Sequence, residues 1–409
     1  MPISGMRGAF GWVGQIAQDH FAAAGEFNSD GMTFHKVLAG DFSLQDDQRP
    51  YDPEVGGSLL SPGTYKSSYW SQGRLSMRPR LGVITGRTKA HSLVPILWSY
   101  AGSAAHLPTS TTVVAVATLP AAVMGTHTKV EDITGASGKA AIFFPGASGS
   151  VQFGADLGDG DDKWLTLRKL TPTSTGYIGE TFYNCKPAGL SFGSAATGPI
   201  GADVAFVGGA GNSDTYEQYV LEAITGEPTT DTGWNYETAL NVDTIPMAGS
   251  GWVKLGASSS DEIRFVRDLQ ISLGGNMTKP QDMTMIGQYA PGDFSLLTRD
   301  IGVTYTFLWD NADLYRKIKL GGIAGVNWSP VPYTSPFFCK FADINGAYSM
   351  GFLAQSMDTL TAPIGLRGQS QVVMQVSGVV RDAVGCKWAI WIAGVIANIA
   401  NMATWPTHA

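Results

Sequence analysis

Apolar and polar positions alternate in short runs through most of this 409-residue chain. Trp164-Leu165-Thr166-Leu167-Arg168 and Val303-Thr304-Tyr305-Thr306-Phe307-Leu308-Trp309 alternate over most of their length, the two-residue period of a half-buried strand. Residues 371–380 read as one long strand, and 112–118 and 140–144 as short apolar strands. Clusters of Gly, Pro, Asn and Asp separate these runs and supply the turns. A helical period is scarce: it is predicted over 13–24 and 216–224, with a short turn at 311–317. The pattern predicts an all-β fold, mainly β with one or two short helices.

An internal echo divides the chain. Pro62-Gly63-Thr64-Tyr65 and Pro291-Gly292-Asp293-Phe294 stand 229 residues apart (291 − 62). In each, Pro-Gly is followed two residues later by an aromatic and then by a candidate strand, 69–77 in one case and 301–309 in the other. A second echo pairs Gly198-Pro199-Ile200-Gly201 and the strand after it with Ala362-Pro363-Ile364-Gly365 and 372–378. Its smaller offset implies extra residues in the first half, within about 101–160. Two matched features in the same order predict a diverged duplication: a first β domain over 1–215 carrying the insertion, and a second over 216–409. Pro62, Gly63, Tyr65, Pro291, Gly292 and Phe294 thereby become candidate assembly contacts. Trp388 and Trp391 join them from the apolar segment 388–397, read either as a docking arm or as a core strand closing the second domain.

Composition narrows the function. Charged residues are only 15% of the chain, well below the usual quarter. That suits either a Ser/Thr/Gly-rich β-protein or a subunit that hides surface against other copies. Net charge is −7, and the densest basic stretch, Arg316-Lys317-Ile318-Lys319, is short. Tight nucleic-acid binding calls for a basic patch, so none is expected. Three cysteines, Cys185, Cys339 and Cys386, are odd in number and widely spaced, as in a reducing compartment. No signal peptide is expected at the N-terminus, and the ten-residue run 388–397 falls short of a membrane span.

Motifs for chemistry are thin. Gly189-Leu190-Ser191-Phe192-Gly193 fits the nucleophile-elbow pattern, but a helix should follow and Ser194-Ala195-Ala196-Thr197-Gly198-Pro199 is a poor one. The only downstream histidine is His408. Residues 156–162 hold four carboxylates without EF-hand spacing, and the six histidines form no metal motif. The expectation is a non-enzyme with no cofactor and no metal.

The stretch from about Arg49 to Val380 resembles phage tail tube proteins of long, non-contractile tails. The resemblance is carried by Val55-Gly56-Gly57-Ser58-Leu59-Leu60-Ser61-Pro62-Gly63-Thr64-Tyr65-Lys66-Ser67-Ser68, by Asp161 to Arg168, and by Tyr183 to Phe192. Phe265 to Asn276, Ile286 to Gly292 and Asp310 to Tyr315 complete it. It implies tandem tail-tube-like β-sandwich or barrel domains in a structural virion protein that assembles through its own copies. Inner sheets would join around a lumen, giving a trimeric ring with pseudo-sixfold symmetry if the duplication is real, or otherwise a hexameric ring. Stacked rings would form the conduit for DNA ejection, with double-stranded DNA passing through unbound. A tape measure protein and tail-end proteins would be partners, no membrane would be involved, and the tail would be assembled in the host cytoplasm. Two readings from other classes stand beside it: an outer-membrane β-barrel porin and a serine hydrolase using Ser191.

Overall fold

The computed structural model describes residues 8–15, 33–35, 37–51, 63–81, 93–107, 140–145, 163–195, 197–209, 211, 219–225, 245–255, 262–263, 266–277, 280–283, 288–294, 296–308, 312–322, 324–361, 363–365, 372–381 and 388–394. The chain is all-β, with antiparallel pairing throughout and two short helices among these residues. The first half opens with β1 (Ala9–Gly14), β2 (Thr33–His35), β3 (Val37–Gly40), β4 (Ser43–Pro50) and β5 (Thr64–Met77). Helix α1 (Val94–Ala101) and the hairpin β6 (Gly102–Leu107) and β7 (Ala140–Pro145) follow. Then come β8 (Leu165–Pro172), β9 (Gly176–Ala195), β10 (Gly201–Gly208) and β11 (Tyr219–Thr225). The second half begins with β12 (Met247–Leu255), β13 (Glu262–Ile263), β14 (Val266–Met277) and β15 (Leu296–Leu308). After helix α2 (Asp313–Leu320) it continues through β16 (Thr334–Ala342), β17 (Ser349–Thr361), β18 (Ile364–Gly365), β19 (Val373–Val380) and β20 (Trp388–Ala393).

The two halves use the same pairings in the same order. In the first, β1 pairs β8, β4 pairs β5, β5 pairs β10, and β9 pairs β8, β10 and β11. In the second, β12 pairs β16, β14 pairs β15, β15 pairs β19, and β17 pairs β16, β19 and β20. A helix follows β5 in one half and β15 in the other, and each ends on a left-handed glycine, Gly102 at φ 85° and Gly321 at φ 72°. There the missing Cβ lets the chain turn back while its N–H caps a helical carbonyl. Both sequence echoes fall on matching strands: the first leads into β5 and β15, the second into β10 and β19.

Long strands tie each half together. The first part of β9 lies between β8 and β11, and its second part between β10 and β14. The changeover lies at Asn184, whose φ of 49° suits a short polar side chain. Gln15 clamps it with two 2.9 Å bonds, its Nε2 donating to Asn184 Oδ1 and its Oε1 accepting the Asn184 N–H. Because β9 pairs with β14, the halves share one continuous sheet, β4-β5-β10-β9-β14-β15-β19-β17. They also share one hydrophobic core, from Phe42 and Leu75 to Tyr305 and Trp388.

Several expectations change. The described part of the helix expected over 216–224 is a strand: Tyr219–Thr225 is β11, laid antiparallel on β9 with Leu221 and Ala223 outward and Val220, Glu222 and Ile224 less exposed. This two-residue alternation wins because β9 offers an open ladder. β11 pairs with β9, a strand of the first half. Val13 and Gly14 lie in β1, and the rest of the helix expected over 13–24 falls outside the described residues apart from Gln15. Helix α1 was not expected: all eight of its residues are buried, and a helix buried on every side carries no amphipathic stripe. The insertion expected within 101–160 holds the β6–β7 hairpin, and β7 extends the second half's sheet at β20. The strand expected at 112–118 and the acidic run 156–162 lie outside the described residues.

Candidate functional site

Strict alternation gives the eight-stranded sheet two unlike faces. Leu75, Val204, Leu190, Leu273 and Ile301 stand side by side across β5, β10, β9, β14 and β15, and all are buried. Ala202, Phe192, Ile271 and Val303 form the neighbouring buried row. The intervening residues point the other way. One row runs Ser76, Asp203, Ser191, Ser272, Gly302, Val379 and Asp358. Others run Gly201, Gly193, Gln270, Thr304 and Ser377, and Ala195, Asp268, Thr306 and Gln375. The last runs Arg74, Ala205, Gly189, Gly274 and Asp300. None of these residues is buried.

This face is therefore a broad polar surface, uncovered by the other described elements and built mainly of Gly, Ala, Ser, Thr and Gln. Its carboxylates are Asp203, Asp268, Asp300 and Asp358. Arg74 is the cation within these rows, and Arg381 lies beside Asp358 at 4.0 Å. Ser76 donates a hydrogen bond to Asp203 across the β5–β10 ladder. Small side chains on a two-residue period leave this surface with few projections. A shallow groove of about 500 Å³ opens at one end, lined by Asp41, Gln72, Arg74, Ala205, Met277 and Pro280 among others.

The eight sequence-predicted contacts do not converge. Pro62 lies outside the described residues, and Gly63 accepts the Tyr51 N–H at 3.0 Å where β5 begins. Tyr65 is displayed, 41% exposed, with its ring 4.9 Å from that of Tyr51. The second Pro-Gly is interior: the Pro291 carbonyl accepts the Gly211 N–H, and the Gly292 N–H reaches Met283. Phe294 is fully buried 6.5 Å from Trp164. The buried Lys186 ammonium lies 3.9 Å from the centre of that Trp164 ring. Trp388 packs on Tyr100 and beneath the Arg299 guanidinium, and Trp391 on Phe338, both inside the core. Phe294 is buried in a small cluster with Trp164 and Val207, and Trp388 and Trp391 are buried in β20, the position of a core strand.

Ser191 sits inside β9, opposite Asp203 on one flank and Ser272 on the other. The strand-turn-helix of a nucleophile elbow is not formed around it. Cys185 and Cys339 are buried free thiols. Burial pushes both upward, that of Cys339 to about 12. Among the described residues no group of three or more His, Cys, Asp or Glu could hold a metal ion. No helix there is long and apolar enough to cross a membrane. What sequence reasoning missed is the open face itself: its signal lay in the polar positions of the alternating strands, which become a surface only once the register is known. In comparisons with known proteins, no family model matches the sequence and no curated protein does.

Proposed function

We propose that this chain is a structural, non-enzymatic subunit of a phage-type tail tube, closing into rings that stack around a lumen through which double-stranded DNA passes. The single observation that carries this reading is the open polar face of the shared sheet, small-featured and weighted toward carboxylates. DNA carries about one negative charge per 1.7 Å of its axis. A wall bearing Asp203, Asp268 and Asp300 repels it over the roughly 8 Å reach of electrostatics at physiological salt, so the polymer slides without sticking.

The recurrence of pairings supports a duplicated tube unit and a trimeric ring with pseudo-sixfold symmetry. Each chain brings eight strands to the shared sheet, and three chains bring 24. At about 4.8 Å per strand the circumference is roughly 115 Å and the diameter near 37 Å before tilt. Closure removes the edge at β4, which pairs only with β5 among the described strands and otherwise invites uncontrolled pairing. A tape measure protein and tail-end proteins are the partners this role calls for, with the virion tail as its place. Negative-stain electron microscopy of the detergent-free protein over a range of concentrations tests the reading. Rings with three- or sixfold end views, or striated tubes, are expected; a monodisperse monomer up to the solubility limit overturns it.

A further inference from the structure

At the two ends of the shared sheet the chain treats equivalent strands differently. The flank of β9 opposite β10 is held by β14 through a ladder running from Asp268 opposite Ala195 to Gly274 opposite Gly189. The matching flank of β17, opposite β19, is held by the chain's own residues 333–335. Thr334 pairs with Asp358 and Ser335 with Met357, and the Thr359 N–H donates to the Tyr333 carbonyl at 3.0 Å. Thr334 Oγ1 also donates to Asp358 Oδ1. At the opposite end β4, the counterpart of β14, pairs only with β5 among the described strands.

The segment on β17 is a poor permanent occupant. Pro330, Pro332 and Pro336 remove three backbone donors within seven residues. The register slips between Ser335 and Phe337. Beyond that slip β16 is locked between β17 and β12; before it, no described strand pairs the outer flank. The approach to this segment displays Val326 at 87%, Trp328 at 73% and Val331 at 68% exposure, and Leu360 just past the last pair is 61% exposed. This loop is nonetheless anchored, with the Ser329 N–H on the Lys319 carbonyl at 3.0 Å and the Gly325 N–H on Gly322 at 3.2 Å. An anchored loop presenting a Trp and two Val to water marks a contact surface.

The geometry points to a self-cap: residues 333–335 occupy the seat that β4 of a second copy takes in the assembled ring, and they peel away up to Pro336, with the loop 326–332 that leads to them, when it arrives. This rests on the tube reading and assigns its subunit contact. The incoming β4 pairs antiparallel with β17, as β14 does with β9 inside the chain. It replaces a short, proline-interrupted pairing with a full ladder. Until then the cap keeps this end of the sheet closed to casual strand addition.

A disulfide lock tests it. Thr334 and Asp358 form a pair flanked by, not sharing, the ladder bonds, a geometry whose Cα separation of about 4.5 Å accepts a disulfide. Thr334→Cys/Asp358→Cys is made in a Cys386→Ser background, the remaining cysteines being buried. Oxidised protein is expected to keep or raise its melting temperature and to form no rings or tubes at concentrations where the reduced protein does. Assembly of the oxidised form to the same extent overturns the cap while leaving the tube reading intact. If the reduced and wild-type proteins never assemble, both fail together. As a second readout, cysteines placed singly at each position from Leu44 to Arg49 are combined with Asp358→Cys. At least one pair should yield inter-chain cross-links in assembled material, and failure of every pair sinks the assignment of β4.

Discussion

Reversing charge on the open face is the sharpest test of the lumenal role proposed for it. In Asp203→Lys/Asp268→Lys the four carboxylates and two arginines of the face and its border become two carboxylates and four cations. Both positions are exposed, so the fold should tolerate them. Each lysine that meets a phosphate releases counterions, contributing a slope of about −0.9 in log K against log salt. One chain with two new contacts should show a slope near −1.8. A ring of three, with six contacts, should lose about a thousandfold in affinity between 50 and 200 mM salt. Fluorescence anisotropy with a short labelled duplex, titrated at several salt concentrations, measures this. The control is Asp282→Lys/Asp313→Lys, at two exposed acids outside the rows of the face, which gives the same change in total charge. Wild type and control should show no binding at physiological salt, whereas the face variant binds. Equal binding by the control, or none by the face variant in rings, would refute the assignment of this surface to the lumen.

Other outcomes follow from packing. Trp391→Ala removes a fully buried ring from the centre of β20 and should cost about 3–5 kcal/mol in urea unfolding, whereas Trp328→Ala should change stability by less than about 0.5 kcal/mol and impair only assembly. Gly351→Ala brings a Cβ to 2.2 Å from the Cys339 carbonyl and 2.3 Å from the Trp391 ring, an overpacking worth about 1–3 kcal/mol; Gly249→Ala, with open space around it, serves as the neutral comparison in the same melts. Cys185 and Cys339, their thiols pushed up by burial, should resist iodoacetamide at pH 8 in the folded protein and react on unfolding, as mass spectrometry would report. Ser191 should take no fluorophosphonate label, because its hydroxyl lies in an unbroken strand.

Strand content was legible wherever burial is one-sided, since one-sided burial writes a two-residue period into the sequence. Residues 303–309 and 371–380 show it, and β15 and β19 lie there. Residues 311–317 carried enough polarity on one side to betray α2, of which only Ile318 is buried. Where burial is complete the period vanishes: α1 and β20 read alike as apolar runs, and only tertiary position separates helix from strand. The misread at 216–224 is the same failure in reverse, a short mixed run whose fate depends on a partner strand some 40 residues earlier. The open face escaped notice for a different reason. Its residues come from strands scattered along the chain, and nothing local says that Asp203 and Asp358 share a row. The echo of Pro62-Gly63 in Pro291-Gly292 led to matching strands, yet its two aromatics diverged, Tyr65 outward and Phe294 inward.

The pairing of β7 with β20 also governs how this chain emerges from a ribosome. Trp388 is 243 residues downstream of Pro145 (388 − 145). At roughly 5–20 residues per second, β7 waits about 12–50 s for its partner to be synthesised. Throughout that interval the apolar run Ala140-Ala141-Ile142-Phe143-Phe144 presents a bare strand edge. Chains interrupted before β20 keep that edge for good, a bare edge of the kind chaperones shield, and it is the synthesis of β20 that closes it.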